Sequence, residues 1–379
     1  MHIPGRAMTL LTLALLLVLG ACAGEEATEQ ATTETGDTGD TGVDEPDEEP
    51  ADDGGVMSEG NADTDGPEAQ ELLVVATIAP LADVVDRVLG DRGTVETLIP
   101  ANVDSHSYEP RPRDVEPLAD ADVFFGNGLG LNQSAVNLAE ANLAENAPLV
   151  LLGEESLSYE DLRDDGHSHD DDGHSHGHTH DDGNDHTHEG DDGHVNPHVW
   201  TSVALIEQYV PAVADTLSEL DPDGARDYAD RAEAYTAELA ELDAAITEAV
   251  ESIPEGNRRL IVYHDAWSYF GQDYGIEVVA AVQPSDFSAP SAAEIRGIID
   301  QIRQEDVPAL FGSAEFPTDV VEAIGDETGA EYVGDLADDI LPGEPGDPEH
   351  SYIGMMAVNV TLIVEALGGD ASPLESLPG

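Results

Sequence analysis

Short apolar runs alternate, early in the chain, with segments in which apolar residues recur every three or four positions. An unbroken apolar run is typical of a strand covered on both faces, and the longer spacing is typical of an amphipathic helix. The pattern predicts these elements in chain order: a strand at 72–77, a helix at 79–89, a strand at 94–99, a helix at 112–121, and strands at 121–125 and 148–152. Such alternation indicates a parallel sheet of the α/β class.

The middle of the chain has the pattern of two consecutive helices. The first is expected at 202–220 with Pro211 inside it, and the second at 224–252. Asp221 is expected to cap the second helix, because aspartate is a favoured N-cap residue. The second helix carries a single apolar stripe, formed by Tyr228, Ala232, Tyr235, Leu239, Leu242, Ile246 and Val250. At about 1.5 Å per residue it would span about 40 Å, the width of a domain.

The strand–helix alternation returns after the long helix. The predicted elements are strands at 259–263, 277–282, 309–312 and 331–333, and helices at 266–274, 291–305, 318–328 and 353–367. The predicted fold class is therefore α/β, with two lobes of mostly parallel sheets joined by one long, rigid helix. Ligands of open α/β sheets bind beyond the carboxyl ends of the strands, so the cleft between the lobes is the predicted site.

The N-terminal region has the features of an export signal. Residues 1–21 contain one arginine, an apolar run at 10–19 and then small residues. Residues 19–22 (LGAC) resemble a bacterial lipobox, which implies cleavage before Cys22 and attachment of a lipid to its sulfur; the alternative is an ordinary signal peptide with a chance cysteine. Because Cys22 is the only cysteine, no intramolecular disulfide can form.

An acidic segment follows the predicted lipid-bearing cysteine. Residues 23–70 contain seventeen acidic residues and no lysine or arginine, which predicts an extended, disordered tether. The whole chain is then predicted to divide as follows: signal peptide 1–21; lipidated cysteine and tether 22–70; N-terminal lobe 71–200 with a disordered insertion at 164–194; helical segment 201–253; C-terminal lobe 254–379.

The charge balance restricts the possible partners. The chain has 12 basic residues, all of them arginine, against 82 acidic residues, for a net charge of −70. Nucleic acids and anionic membrane surfaces are disfavoured because they need basic patches. An acidic surface attracts cations instead. The absence of lysine is consistent either with adaptation to salt or with a codon bias towards arginine.

The insertion at 164–194 is rich in histidine, aspartate and glycine. Imidazole is the commonest protein ligand of transition metals, so this composition predicts metal contact; the alternative is a solvated spacer that binds nothing specific. Nine of the chain's 14 histidines belong to the tract: His167, His169, His174, His176, His178, His180, His186, His188 and His194.

Three other histidines stand at or near the predicted carboxyl ends of strands. His106 follows the second strand, His198 follows the insertion, and His264 directly follows the strand at 259–263. Three neutral imidazoles and one carboxylate would complete a tetrahedral zinc site. The segment 336–341 offers the carboxylate, after the last strand. Taken singly, each histidine could instead be a surface or capping group.

Four motifs in order resemble the ZnuA-like family of zinc and manganese ABC-transporter substrate-binding proteins. They are DSHSYEP at 104–110, NPHVW at 196–200, YHDA at 263–266 and SYIGMM at 351–356, within a resemblance that covers 72–368. The resemblance implies metal bound between two lobes by His106, His198, His264 and an aspartate in an Asp-x-Leu segment. Asp339 fits that segment, but Asp335 and Asp338 are close neighbours.

The resemblance implies a carrier and not an enzyme. The chain is expected to be a monomer, anchored by lipid to the outer face of the cytoplasmic membrane. It would capture Zn²⁺ there and deliver it to an ABC-transporter permease with its ATPase. The alternatives are a Mn²⁺ or iron carrier of the same family, a zinc hydrolase, and a surface metal buffer or adhesin. The hydrolase is disfavoured because no His-Glu-x-x-His motif is present.

Overall fold

The computed structural model describes residues 71–101, 103–163, 195–283, 290–314 and 319–377, and gives the backbone but not the side chain of Asp335. The predicted signal peptide, Cys22 and the acidic tether lie outside the described residues. So does the histidine-rich tract from His167 to His194. In the part of the chain that is described, no helix is both long and apolar enough to cross a membrane.

The first half of the chain forms a four-stranded sheet. Its strands are β1 (Leu72–Ala76), β2 (Gly93–Thr97), β3 (Val123–Gly126) and β4 (Leu149–Leu151). They lie in the order β2-β1-β3-β4, and every neighbouring pair is parallel. The unbroken apolar sequences of β1 and β3 are explained by their positions in the middle of the sheet, where both faces are covered.

Four helices connect and follow these strands. They are α1 (Ala79–Leu89), α2 (Val115–Asp120), α3 (Gln133–Asn142) and α4 (Leu152–Ser156). Helix α3 has no counterpart among the predicted elements. It buries only Ala135, Val136 and Ala139, so it lacks the large apolar residues that reveal an amphipathic helix. Asn132 caps it, since its side-chain oxygen accepts a hydrogen bond from Ala135 N at 2.6 Å.

Two long helices occupy the middle of the chain, as predicted: α5 (Val203–Leu220) and α6 (Ala225–Glu251). Helix α6 packs against α1 and α5. Asp221 does not cap α6, whose N-cap is Gly224. The Asp221 carboxylate accepts from Gly224 N at 3.3 Å just before the helix, and also from Arg92 Nε at 2.8 Å and the Tyr228 hydroxyl at 3.0 Å.

The second half of the chain forms another four-stranded parallel sheet, in the order β6-β5-β7-β8. Its strands are β5 (Arg259–His264), β6 (Glu277–Gln283), β7 (Ala309–Ser313) and β8 (Glu331–Leu336). The helices of this half are α7 (Ser268–Tyr274), α8 (Ala292–Glu305), α9 (Asp319–Thr328) and α10 (Tyr352–Ala366). The two parallel sheets confirm the predicted α/β fold class.

Helix α6 is the element that both halves share. Besides α1 and α5 it contacts α7 and α10 of the second half. Its buried residues follow the predicted stripe closely: Tyr228, Tyr235, Leu239, Leu242, Ile246, Ala249 and Val250. These side chains belong to a hydrophobic core that is continuous across both sheets. The loops after β2, β5 and β8 therefore start from strands that are packed in the same hydrophobic core.

Candidate metal centre

The three histidines predicted from strand ends come from different parts of the fold. His106 lies in the loop between β2 and α2, His198 immediately precedes a single 3₁₀ turn before α5, and His264 is the last residue of β5. His198 and His264 are 2% and 4% exposed, and His106 is partly exposed. The most accessible ring thus comes from a loop, and the two buried rings come from the packed interior.

The ring nitrogens of the three histidines converge. His198 Nε2 lies 2.9 Å from His106 Nε2 and 2.8 Å from His264 Nε2. One nitrogen from each ring can be chosen so that all three lie within 4.8 Å of one another. Around a tetrahedral Zn²⁺ with bonds of about 2.0–2.1 Å, two ligand nitrogens would be about 3.3 Å apart. A small outward movement of the rings would therefore admit an ion.

Burial keeps the three rings neutral, which is the form that binds metal. Loss of hydration lowers the pKa of His264 to about 3, with a further contribution from nearby His106. The pKa of His198 lies well below its usual range, because its ring is buried and faces the other two imidazoles. Burial also lowers the pKa of His106, although the charge of Asp104 opposes the shift.

Asn196 determines which nitrogen of His198 faces the centre. Its amide nitrogen donates to the carbonyl oxygen of Asp265 at 2.8 Å, and a carbonyl can only accept. The amide oxygen therefore points to His198, where it accepts from the backbone N–H at 3.0 Å and lies 2.7 Å from Nδ1. Nδ1 must then carry the ring proton, so Nε2 is unprotonated and directs its lone pair towards the other two histidines.

Asp339, the aspartate of the predicted Asp-x-Leu segment, is buried. It is 6% exposed, and its Oδ2 accepts a hydrogen bond from the hydroxyl of Ser105, the residue before His106. Burial raises the pKa of Asp339 to about 6, although the bond from Ser105 lowers it. The group of metal-binding atoms within 4.8 Å contains the three histidines and not Asp339. Its role as fourth ligand remains a prediction.

The neighbouring aspartates differ from Asp339. Asp338 is also buried, but its Oδ1 accepts from Trp267 Nε1 at 2.7 Å and its carbonyl oxygen accepts from Trp200 Nε1 at 2.7 Å. The side chain of Asp335 lies outside the description. Neither these tryptophan contacts nor the role of Asn196 was anticipated, because each depends on a residue more than sixty positions away.

The histidine-rich insertion starts and ends next to the centre. The backbone N–H of Asn196 donates to the carbonyl of Arg163 at 2.9 Å, so the residues on either side of the insertion are in contact. The Tyr269 hydroxyl accepts from the backbone N–H of Arg163 at 3.2 Å and donates to the Asn196 carbonyl at 2.7 Å. This junction lies two residues before His198.

Known proteins are similar to this chain in sequence and in fold. A family described as zinc-uptake complex component A, periplasmic, matches residues 74–366. The manganese-binding lipoprotein MntA of Halalkalibacterium halodurans is 29% identical over 79% of this chain and 90% of its own length. The high-affinity zinc uptake system protein ZnuA of Paracoccus denitrificans is 36% identical over 68% of this chain and 80% of its own.

The fold comparison agrees with the sequence comparison. The solved structure of the periplasmic zinc-binding protein TroA from Treponema pallidum superposes with a TM-score of 0.66 and 29% identity, covering 78% of this chain and 99% of that one. Two parallel sheets, three converging imidazoles and these matches lead to one conclusion. The chain belongs to the zinc-uptake component A family, the non-enzymatic, metal-binding substrate-binding proteins of ABC transporters.

Proposed function

We propose that this protein captures Zn²⁺ outside the cytoplasmic membrane and delivers it to an ABC-transporter permease with its ATPase. His106, His198 and His264 would each supply Nε2, and Asp339 would supply a carboxylate oxygen. The convergence of three neutral imidazoles, two of them buried, is the observation that carries this proposal. Three nitrogens and one oxygen complete a tetrahedral zinc shell with no open position for a catalytic water.

Manganese is the second candidate cargo. The relative MntA is named as manganese-binding, and other members are named for zinc. Mn²⁺ favours carboxylate, carbonyl and water oxygens, whereas imidazole suits zinc. A site dominated by three imidazoles therefore supports zinc over manganese, and competition between the two ions is the direct comparison.

Calorimetric titration of the mature protein with Zn²⁺ and with Mn²⁺ tests the site. We expect one tight zinc site, and we expect His106→Ala to weaken it by more than about 100-fold, because loss of an outer-shell partner alone costs about 10–100-fold. His350→Ala is the matched control: His350 stands outside the three-histidine group and should leave binding unchanged. Unaltered tight zinc binding in His106→Ala would rule out the assignment.

The segments outside the described residues have proposed roles in the same process. The nine tract histidines, from His167 to His194, would bind zinc weakly and raise its concentration beside His198. A lipid on Cys22 would anchor a monomeric protein to the outer face of the membrane. Deletion of 166–194 should leave the tight site and remove weaker ones from the titration. Conversion of Cys22 to serine should release the protein from membrane fractions.

A further inference from the structure

The two tryptophans of this chain share one hydrogen-bonding partner. Trp200 and Trp267 are 2% and 1% exposed, and both indole N–H groups donate to Asp338 at 2.7 Å. Trp200 reaches the backbone carbonyl and Trp267 reaches Oδ1 of the side chain. Asp338 is itself only 2% exposed. A buried carboxylate needs such donors, because an unpartnered one would lose its hydration without compensation.

Each tryptophan is close to a histidine of the metal centre. The ring of Trp200 packs edge-on against the ring of His198, with centroids 5.1 Å apart. Trp267 follows His264 by three residues, across a turn closed by the bond from Ala266 N to the His264 carbonyl at 2.9 Å. Asp338 is therefore linked to the segments that carry His198 and His264.

The third histidine segment is linked to the residue that follows Asp338. Asp339 accepts a hydrogen bond from Ser105, which directly precedes His106. Two consecutive residues after β8 thus contact all three histidine-bearing segments. The contacts to Ser105 and Trp200 join residues more than 130 positions apart, while the contact to Trp267 lies within the second half of the chain.

We infer that Asp338 is a positioning residue for the metal centre. Its hydrogen bond from Trp267 fixes the loop that presents Asp339, and its contacts hold the segments that carry His198 and His264 in place relative to each other. This inference rests on the proposed function. Asp338→Asn keeps an oxygen for Trp267 but removes the charge, whereas Asp338→Ala removes both. We expect zinc affinity to fall about tenfold in the first and about 100-fold in the second, the range typical of outer-shell partners.

The full-length protein labelled with ¹⁵N-tryptophan provides the test, because its two indole N–H signals report directly on the two contacts. In metal-free Asp338→Ala we expect both signals to move: that of Trp267 because it loses its acceptor, and that of Trp200 because the loop carrying its carbonyl acceptor is released. In Asp338→Asn both signals should stay close to those of the wild type. Zinc calorimetry on the same samples gives the affinities.

Two further variants keep the test decisive. Trp267→Phe removes the indole donor while Asp338 stays intact, so it should also weaken zinc binding and move the Trp200 signal. Asp122→Asn is the matched control: its Oδ2 accepts from Leu73 N at 2.9 Å at the opposite, amino end of the first sheet. It should leave both signals and the zinc affinity unchanged.

The outcomes separate this inference from the proposed function. Wild-type zinc affinity and an unmoved Trp200 signal in Asp338→Ala, beside a wild-type protein that binds zinc, would overturn the positioning role alone. Equal losses of affinity in Asp338→Ala and Asp122→Asn would also overturn it, because the effect would then be general destabilisation. Failure of the wild-type protein to bind zinc or manganese would overturn the proposed function.

Discussion

Asp339 and His264 have pKa values displaced in opposite directions by the same cause. Loss of hydration disfavours the charged form of each, which raises the pKa of Asp339 to about 6 and lowers that of His264 to about 3. Near neutral pH Asp339 is therefore ionised and the ring of His264 is neutral. In the metal-free protein, the raised pKa of Asp339 contributes to the free energy of unfolding. This contribution is fully present at pH values below 3.8, the ordinary pKa of the group, and is lost as the pH rises through about 6.

The pH dependence of zinc binding should have the opposite sign. The ionised carboxylate is the form that binds a cation, so affinity is retained above pH 6 and falls as Asp339 takes up a proton. Burial lowers the pKa of all three histidines, that of His264 to about 3, so we expect Asp339 to control zinc binding in the mildly acidic range. We expect about tenfold weaker binding at about pH 5 than at about pH 7, the loss for one competing proton.

Calorimetry of the Asp339→Asn variant across the same pH range is the check. The variant should bind more weakly at about pH 7 and show a much flatter profile down to about pH 5, because the amide does not titrate there. An equally steep profile in the variant would mean that another group controls the pH dependence, and that Asp339 does not bind the metal.

Single residues were predictable where their position relative to a strand was enough. His106, His198 and His264 were predicted because each stands at or near the carboxyl end of a strand, where open α/β sheets bind ligands, and the structure places their rings together. The orientation of His198 was not predictable, since it depends on the contact between Asn196 and Asp265. The choice among Asp335, Asp338 and Asp339 likewise depends on contacts that the sequence does not reveal.

Helix α6 shows how far periodicity alone determines an element. Its large apolar residues at spacings of three and four marked both its extent and its buried face, and the observed helix differs from the predicted range by one residue at each end. Helix α3 was missed because its buried face carries only two alanines and one valine. Its start depends on the cap by Asn132, a signal too common in loops to identify a helix by itself.

The packing of α6 gives a prediction for stability. Leu239 is fully buried in the core that both sheets share. Leu239→Ala should lower the free energy of unfolding by about 2–5 kcal/mol, through lost apolar burial and the cavity left behind. Denaturant titration of the metal-free protein measures the change. The exposed neighbour Glu241 provides the control: Glu241→Ala should change stability by less than about 0.5 kcal/mol.

Zinc affinity of folded Leu239→Ala should remain that of the wild type, because Leu239 lies in the helix and outside the loops that carry the histidines. A loss of affinity without loss of stability would show that α6 shapes the centre directly. A loss of stability below about 1 kcal/mol would show that the core adjusts to the missing side chain.

Charge acts on the whole molecule. Of the 82 acidic residues, 54 lie outside 23–70 and 164–192, against 12 arginines in the entire chain. This excess of like charge opposes the compact state. Salt reduces the repulsion, because the screening length falls from about 10 Å at 0.1 M to about 3 Å at 1 M.

We therefore expect the thermal midpoint to rise as NaCl increases from about 0.1 M to about 1 M. Over the same range the association rate of Zn²⁺ should fall, because the attraction of the cation to the acidic surface is screened. Calorimetric scans and stopped-flow measurements with a zinc indicator give the two quantities. KCl should reproduce both effects, and a midpoint that stays constant or decreases would show that repulsion does not limit stability.

The hydrogen bond between Asn196 N–H and the Arg163 carbonyl joins the two residues that flank 164–195. Because Arg163 and Asn196 are in contact, the position of His198 does not depend on how many residues lie between them. Doubling the number of residues in a loop raises the entropic free-energy cost of closing it by only about 0.6 kcal/mol. The number of histidines between Arg163 and Asn196 can accordingly be changed while the geometry of the three converging rings is kept.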